Sequence, residues 1–109
     1  MMLKLAWLIE EMKNFSLIIT EKAENQIEQA FFYYDLVSKR VADNFLVELQ
    51  NCFNSIEKNP EMYQVIKNNF RQAPLKKFPY VVIYSIEKLQ KVLVLSIFHT
   101  SRNPKMKFK

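Results

Sequence analysis

The sequence predicts an α+β domain in which an N-terminal strand and a two-helix antiparallel hairpin precede a twisted, mainly antiparallel sheet, in the order β-α-α-β-β-β. Three observations predict it. Two consecutive segments repeat apolar residues at three- and four-residue steps, two runs near the C-terminal end are dense in β-branched and aromatic residues, and a strand-length apolar run precedes both helices. Helices gathered ahead of most of the strands imply one helical layer packed on one face of one sheet.

The first element is "FSLIIT", Phe15 to Thr20. Thr20 then supplies an N-cap hydroxyl, and Glu21 and Glu24 favour the positive end of the helix that follows. In that helix Ala23, Ile27, Ala30, Phe31 and Tyr34 form the core-facing stripe. Ser38 caps the second helix, where Ala42, Phe45, Leu49, Cys52, Phe53 and Ile56 repeat the pattern. Pro60 forces Asn59 out of helical geometry and ends it. The short link between the two makes them an antiparallel hairpin.

Strands follow. "RQAPLKK", Arg71 to Lys77, alternates weakly, and Pro74 confines it to an edge or an irregular strand. As neighbours in a strand, Lys76 and Lys77 would point to opposite faces. "YVVIYSI", Tyr80 to Ile86, is a strong strand, "EKLQ" turns the chain, and Lys91 to Phe98 returns as its hairpin partner. Val92 through Ile97 are apolar on both parities except Ser96, which marks a central strand. If that strand runs regularly through residue 99, His99 shares a face with Leu93, Leu95 and Ile97, the side expected to be core; a bulge would change this.

At 109 residues the chain is one domain. Residues 12–104 form the expected domain and 105–109 a basic tail; Met12 is an alternative initiator, which would make 1–11 an N-terminal extension. There is no glycine at all, which argues against glycine-rich phosphate loops and the nucleotide cofactors they hold. One cysteine and one histidine give no zinc-site spacing and no internal disulfide, so no metal or cofactor is expected, and Cys52 reads as core. Leu5 to Ile9 is too short for a secretory core and no segment approaches the roughly 20 apolar residues of a membrane span, so a cytoplasmic protein without membrane contact is expected.

The net charge of +5 hides a division. Residues 1–66 carry six Lys/Arg against ten acids, a net of −4, whereas residues 67–109 carry ten against Glu87 alone, a net of +9. Such asymmetry points to a polyanion-facing surface, displayed on the sheet half of the chain.

"NPEMY", "FRQAPLKKFPYVVIY" and "IFHTSRNP", in this order around a β-hairpin, resemble the RelE/ParE superfamily of toxins from bacterial type II toxin–antitoxin modules. The most specific pieces are "KFPYVVIY" and "HTSRNP", and the resemblance spans about Phe15 to Pro104. It implies a plasmid-stabilisation or addiction toxin that inhibits growth unless a cognate antitoxin wraps it, as a homodimer or in a hetero-oligomer with that antitoxin. It leaves the target open between DNA gyrase, as for ParE-type members, and messenger RNA on the ribosome, as for RelE-type endonucleases.

Metal-free RNA cleavage needs a base, an acid and cations for the phosphorane charge. His99, Arg102 and Arg71 are the catalytic candidates for it, with Lys76, Lys77, Tyr80, Lys105 and Lys107 as nucleic-acid or target-binding residues. Two departures tilt the residues toward the ParE type. The resemblance places an arginine of the nucleases at Val81 and a terminal tyrosine or histidine at Phe108. A non-toxic basic binding module is the third alternative.

Overall fold

The computed structural model describes residues 15–101. The N-terminal extension, the choice of Met12 as start, and Arg102, Lys105, Lys107, Phe108 and the tail lie outside the described residues.

The order is β1 (Ser16–Ile19), α1 (Glu21–Val37), α2 (Lys39–Lys58), a 3-10 turn (Pro60–Met62), β2 (Gln64–Lys67), β3 (Phe70–Pro74), β4 (Tyr80–Glu87) and β5 (Lys91–His99). The expected α+β layout stands, with one strand more than the sequence pattern suggested. The strands form a single sheet in the order β1-β5-β4-β3-β2, antiparallel throughout except for the parallel pair β1–β5.

Both helix starts form as the residues dictate. Thr20 Oγ1 accepts the Ala23 N–H at 3.1 Å, and Ser38 Oγ accepts that of Val41 at 3.4 Å. Because Ser38 is also the residue on which α1 ends, the hairpin turns on one extended residue. The α2 stripe of Ala42, Phe45, Leu49, Cys52, Phe53 and Ile56 is buried, and from Phe45 onward it shares one core with Ala73 of β3, Tyr80, Val82 and Tyr84 of β4, and Val92, Val94 and Ile97 of β5. Cys52 sits in that core, its thiol directed at the Ala73 carbonyl, 3.9 Å away.

Three expectations need correction. The strand expected over residues 71–77 runs over Phe70–Pro74, so Lys76 and Lys77 lie in the following loop and have no alternating strand faces. Pro74 brings this about: it ends the strand beyond its last pairing with β2, and buried Leu75 donates its N–H to the Tyr80 carbonyl at 2.9 Å to start the loop. Second, β5 is not regular. A bulge at Leu95, where Ile83 pairs with Ser96 but Tyr84 with Val94, switches the core-facing parity from Val92 and Val94 to Ile97. Leu93 and Leu95 are therefore only half-buried and His99 shares no core face with them. Third, the cations of the sheet half that lie among the described residues do not share one rim. Antiparallel strands put successive turns at opposite ends, so Lys67, Lys88 and Lys91 stand at one end of the sheet and Lys76 and Lys77 at the other.

Candidate functional site

At the end of the sheet that holds Lys76 and Lys77, the two most specific sequence pieces meet. Tyr80 opens β4 and pairs with His99, the last residue of β5. Their rings stack edge to face with centroids 5.1 Å apart. The Pro79 carbonyl accepts the Thr100 N–H at 2.8 Å and its hydroxyl at 3.3 Å. "FPY" and "HT" are thus adjacent in space, and the contact reaches on into the helices. Phe78 and Tyr80 each pack at 5.4 Å from Phe45, and Tyr34 lies 5.2 Å from Phe78.

Tyr80 is buried in this cluster, which leaves it no exposed ring face on which a base could stack. His99 is half-buried at its edge, where Gln26, Gln29 and Tyr33 of α1 and Phe98 help enclose a hollow of about 160 Å³. Its Nδ1 accepts the Ser101 N–H at 3.2 Å. A backbone N–H only donates, so in this arrangement Nδ1 is the acceptor. The Leu95 bulge is what turns His99 toward the helices, and α1 holds that bulge. Thr20 Oγ1 donates to the Leu95 carbonyl at 3.3 Å, and Gln26 Oε1 accepts both the Ile97 N–H at 2.8 Å and the Ser96 hydroxyl at 2.9 Å.

Arg71 is elsewhere. It pairs with Tyr84, four residues along β4 from Tyr80 and one strand to the other side, so its Cα stands on the order of 16 Å from that of His99. Its guanidinium donates to the carbonyls of Glu61 at 3.1 Å and Tyr63 at 2.8 Å, tying β3 to the 3-10 turn and the residue that follows it. Neighbouring Tyr84 donates to the Pro60 carbonyl at 2.6 Å, and burial pushes its hydroxyl well above the usual phenol range. Lys76 borders a different hollow, of about 330 Å³, with Glu48, Cys52 and Tyr63. Lys77 is exposed in the loop.

Val81, at the position where the resemblance places an arginine of the nucleases, is buried in an apolar row across three strands, between Pro74 and Phe98. The predicted candidates therefore divide among separate places: His99 and Tyr80 at one aromatic cluster, Lys76 and Lys77 in the adjoining loop, Arg71 in a structural clamp. Sequence reasoning missed Gln26 and Thr20 as residues that orient His99. Only the Thr20 capping pattern carried a local signal.

Residues 17–104 match the family model described as ParE toxin of type II toxin-antitoxin system, parDE. The chain belongs to the ParE toxin family. The toxin–antitoxin system named "Chromosomal ParDE TA system from P. aeruginosa" shares the fold, with a TM-score of 0.68 at 15% identity over 78% of this chain and 95% of that one. So does the crystal structure of the toxin-antitoxin complex RelBE2 from Mycobacterium tuberculosis, with a TM-score of 0.54 at 14% identity over 79% and 98%. No curated protein matches the ParE-family chain in sequence. Among the described residues no helix is long and apolar enough to cross a membrane, and no group of three or more His, Cys, Asp or Glu is placed to hold a metal.

Proposed function

We propose that this toxin acts in the cytoplasm of a bacterium by seizing a protein target of the gyrase type, without nuclease chemistry, and that a cognate antitoxin neutralises it. The observation that carries this is the separation of Arg71 from His99. A ribonuclease needs its base and its phosphate-binding cation within reach of one scissile phosphate. Here the Cα atoms of the two stand on the order of 16 Å apart, and the arginine's guanidinium is engaged by two backbone carbonyls on the β2 side, away from β5. Two further features support it. Val81 offers no charge within its apolar row, and Tyr80 is buried. An exposed apolar surface on the last two turns of α1 supplies what a protein-directed toxin requires.

The second reading, messenger-RNA cleavage, rests on the placement of His99 beside the chain that leads directly to Arg102. Lys77, and the cations Lys105 and Lys107 that follow Arg102, would then line the RNA. Inducing the chain while following transcript ends and DNA supercoiling separates the two. Growth arrest with trapped gyrase–DNA breaks and intact transcripts is expected. Cut transcripts that disappear with Arg102→Ala would establish the nuclease instead, and an absence of growth arrest would remove both readings.

A further inference from the structure

The last two turns of α1 present an apolar surface that the core does not use. Phe32 is 58% exposed, Tyr33 52%, Leu36 89% and Val37 70%. On a helix of 3.6 residues per turn these four fall within an arc of about 140°. The core stripe of Ala23, Ala30 and Tyr34 lies beyond one side of that arc, and Glu24, Glu28 and Asp35 beyond the other. A helix of this kind normally has a single apolar face. This one has two, and the second ends at the hairpin bend beside the exposed cations Lys39 and Arg40.

We propose that the second face pairs with the same face of another copy of this chain, giving a two-fold homodimer through α1 when no other protein is bound. The exposed portions of the four side chains amount to on the order of 500 Å² per copy, so pairing would remove about 1,000 Å², the threshold for a specific interface, before any polar rim is added. The surface is also self-complementary, as a two-fold contact demands. Two α1 helices laid antiparallel about Tyr34 set Phe32 of each against Leu36 of the other. The same alignment brings the Lys39–Arg40 end of each copy toward Glu28 of the other, opposite charges at both rims of an apolar centre.

The inference is independent of the toxin's target, because self-association is read on the purified chain alone. Sedimentation equilibrium of the full chain across the micromolar range is expected to show twice the monomer mass. Leu36→Glu is expected to weaken the association at least about tenfold, with the circular-dichroism spectrum and melting transition retained. Leu89→Glu, at an equally exposed leucine on the opposite end of the sheet, is expected to leave it intact. Glu28→Arg should weaken the dimer and Arg40→Glu added to it should restore affinity. A wild-type chain that stays monomeric at its highest soluble concentration, or a dimer indifferent to Leu36→Glu, overturns the proposal.

Discussion

Arg71 donates to the carbonyl of Tyr63 across 2.8 Å, and the same guanidinium nitrogen reaches Glu61 at 3.1 Å. An arginine in a cationic half of a toxin invites a role in charge neutralisation at a phosphate. This one serves the backbone. Arg71 satisfies the carbonyl of Glu61 within the 3-10 turn and that of Tyr63 just after it, while Tyr84 satisfies the carbonyl of Pro60.

Replacing Arg71 by methionine is therefore expected to lower stability by about 1–3 kcal/mol, the range for losing charge-assisted hydrogen bonds while leaving carbonyls short of donors. Urea denaturation of the variant measures this directly. A variant as stable as the parent would contradict the clamp.

Gln26→Leu is expected to cost about 2 kcal/mol, because the Ile97 N–H and the Ser96 hydroxyl both lose their acceptor. Gln26→Glu keeps a carboxylate oxygen there and should cost less. Amide hydrogen exchange at Ile97 reports the difference: fast in the leucine variant, slow in the parent.

Alkaline pH should destabilise the fold. Burial raises the Cys52 thiol from 9.0 to about 11 and raises the Tyr84 hydroxyl as well, so above pH 9.0 the unfolded chain releases protons that the folded chain retains. The stabilising effect is complete below the ordinary thiol value and is lost as pH rises toward 11. Melting temperatures measured from pH 8 to 11 should fall, and Cys52→Ala, less stable at neutral pH through lost packing, should fall less steeply over the lower part of that span.

The β4–β5 turn carries strain that substitution can relieve. Leu89 and Gln90 both have positive φ, at 62° and 57°, in a chain that has no glycine to place there. Changing Leu89 to Asn and Gln90 to Gly is expected to add about 1 kcal/mol or more in total, read as a higher urea midpoint with an unchanged slope.

The helices were legible because each stripe repeats often enough to set a phase. In α2 the six stripe residues Ala42, Phe45, Leu49, Cys52, Phe53 and Ile56 proved buried, and Thr20 and Ser38 cap as expected. In α1 Ala23 and Ala30 are buried and Ile27 and Tyr34 pack half-buried on the core, but Phe31 is half-buried outside it, beside Phe32. β2 was not legible. "QVIK" is four residues long, mostly exposed, and is ordered by pairing with β3 across a turn in which Asn68 takes positive φ. The bulge at Leu95 was equally hidden, since a run apolar on both parities gives no sign of where its phase slips. What holds the bulge comes from some 70 residues earlier in the chain, at Gln26 and Thr20. The candidate site shared that fate. Its residue types were visible, but whether Arg71 meets His99 depends on strand order, which no local pattern encodes.

The parallel pairing of β1 with β5 has a consequence for how the protein is made. Ser16 to Ile19 acquire their strand partners only at Lys91 to Val94, so the first strand waits for about 70 further residues before it can add to the sheet. A ribosome making this chain holds an incomplete sheet until β5 emerges, because β1 and the Tyr80 end of β4 both pair with it. Premature termination upstream of Lys91 would thus yield fragments in which β1 and β4 both lack their β5 partner.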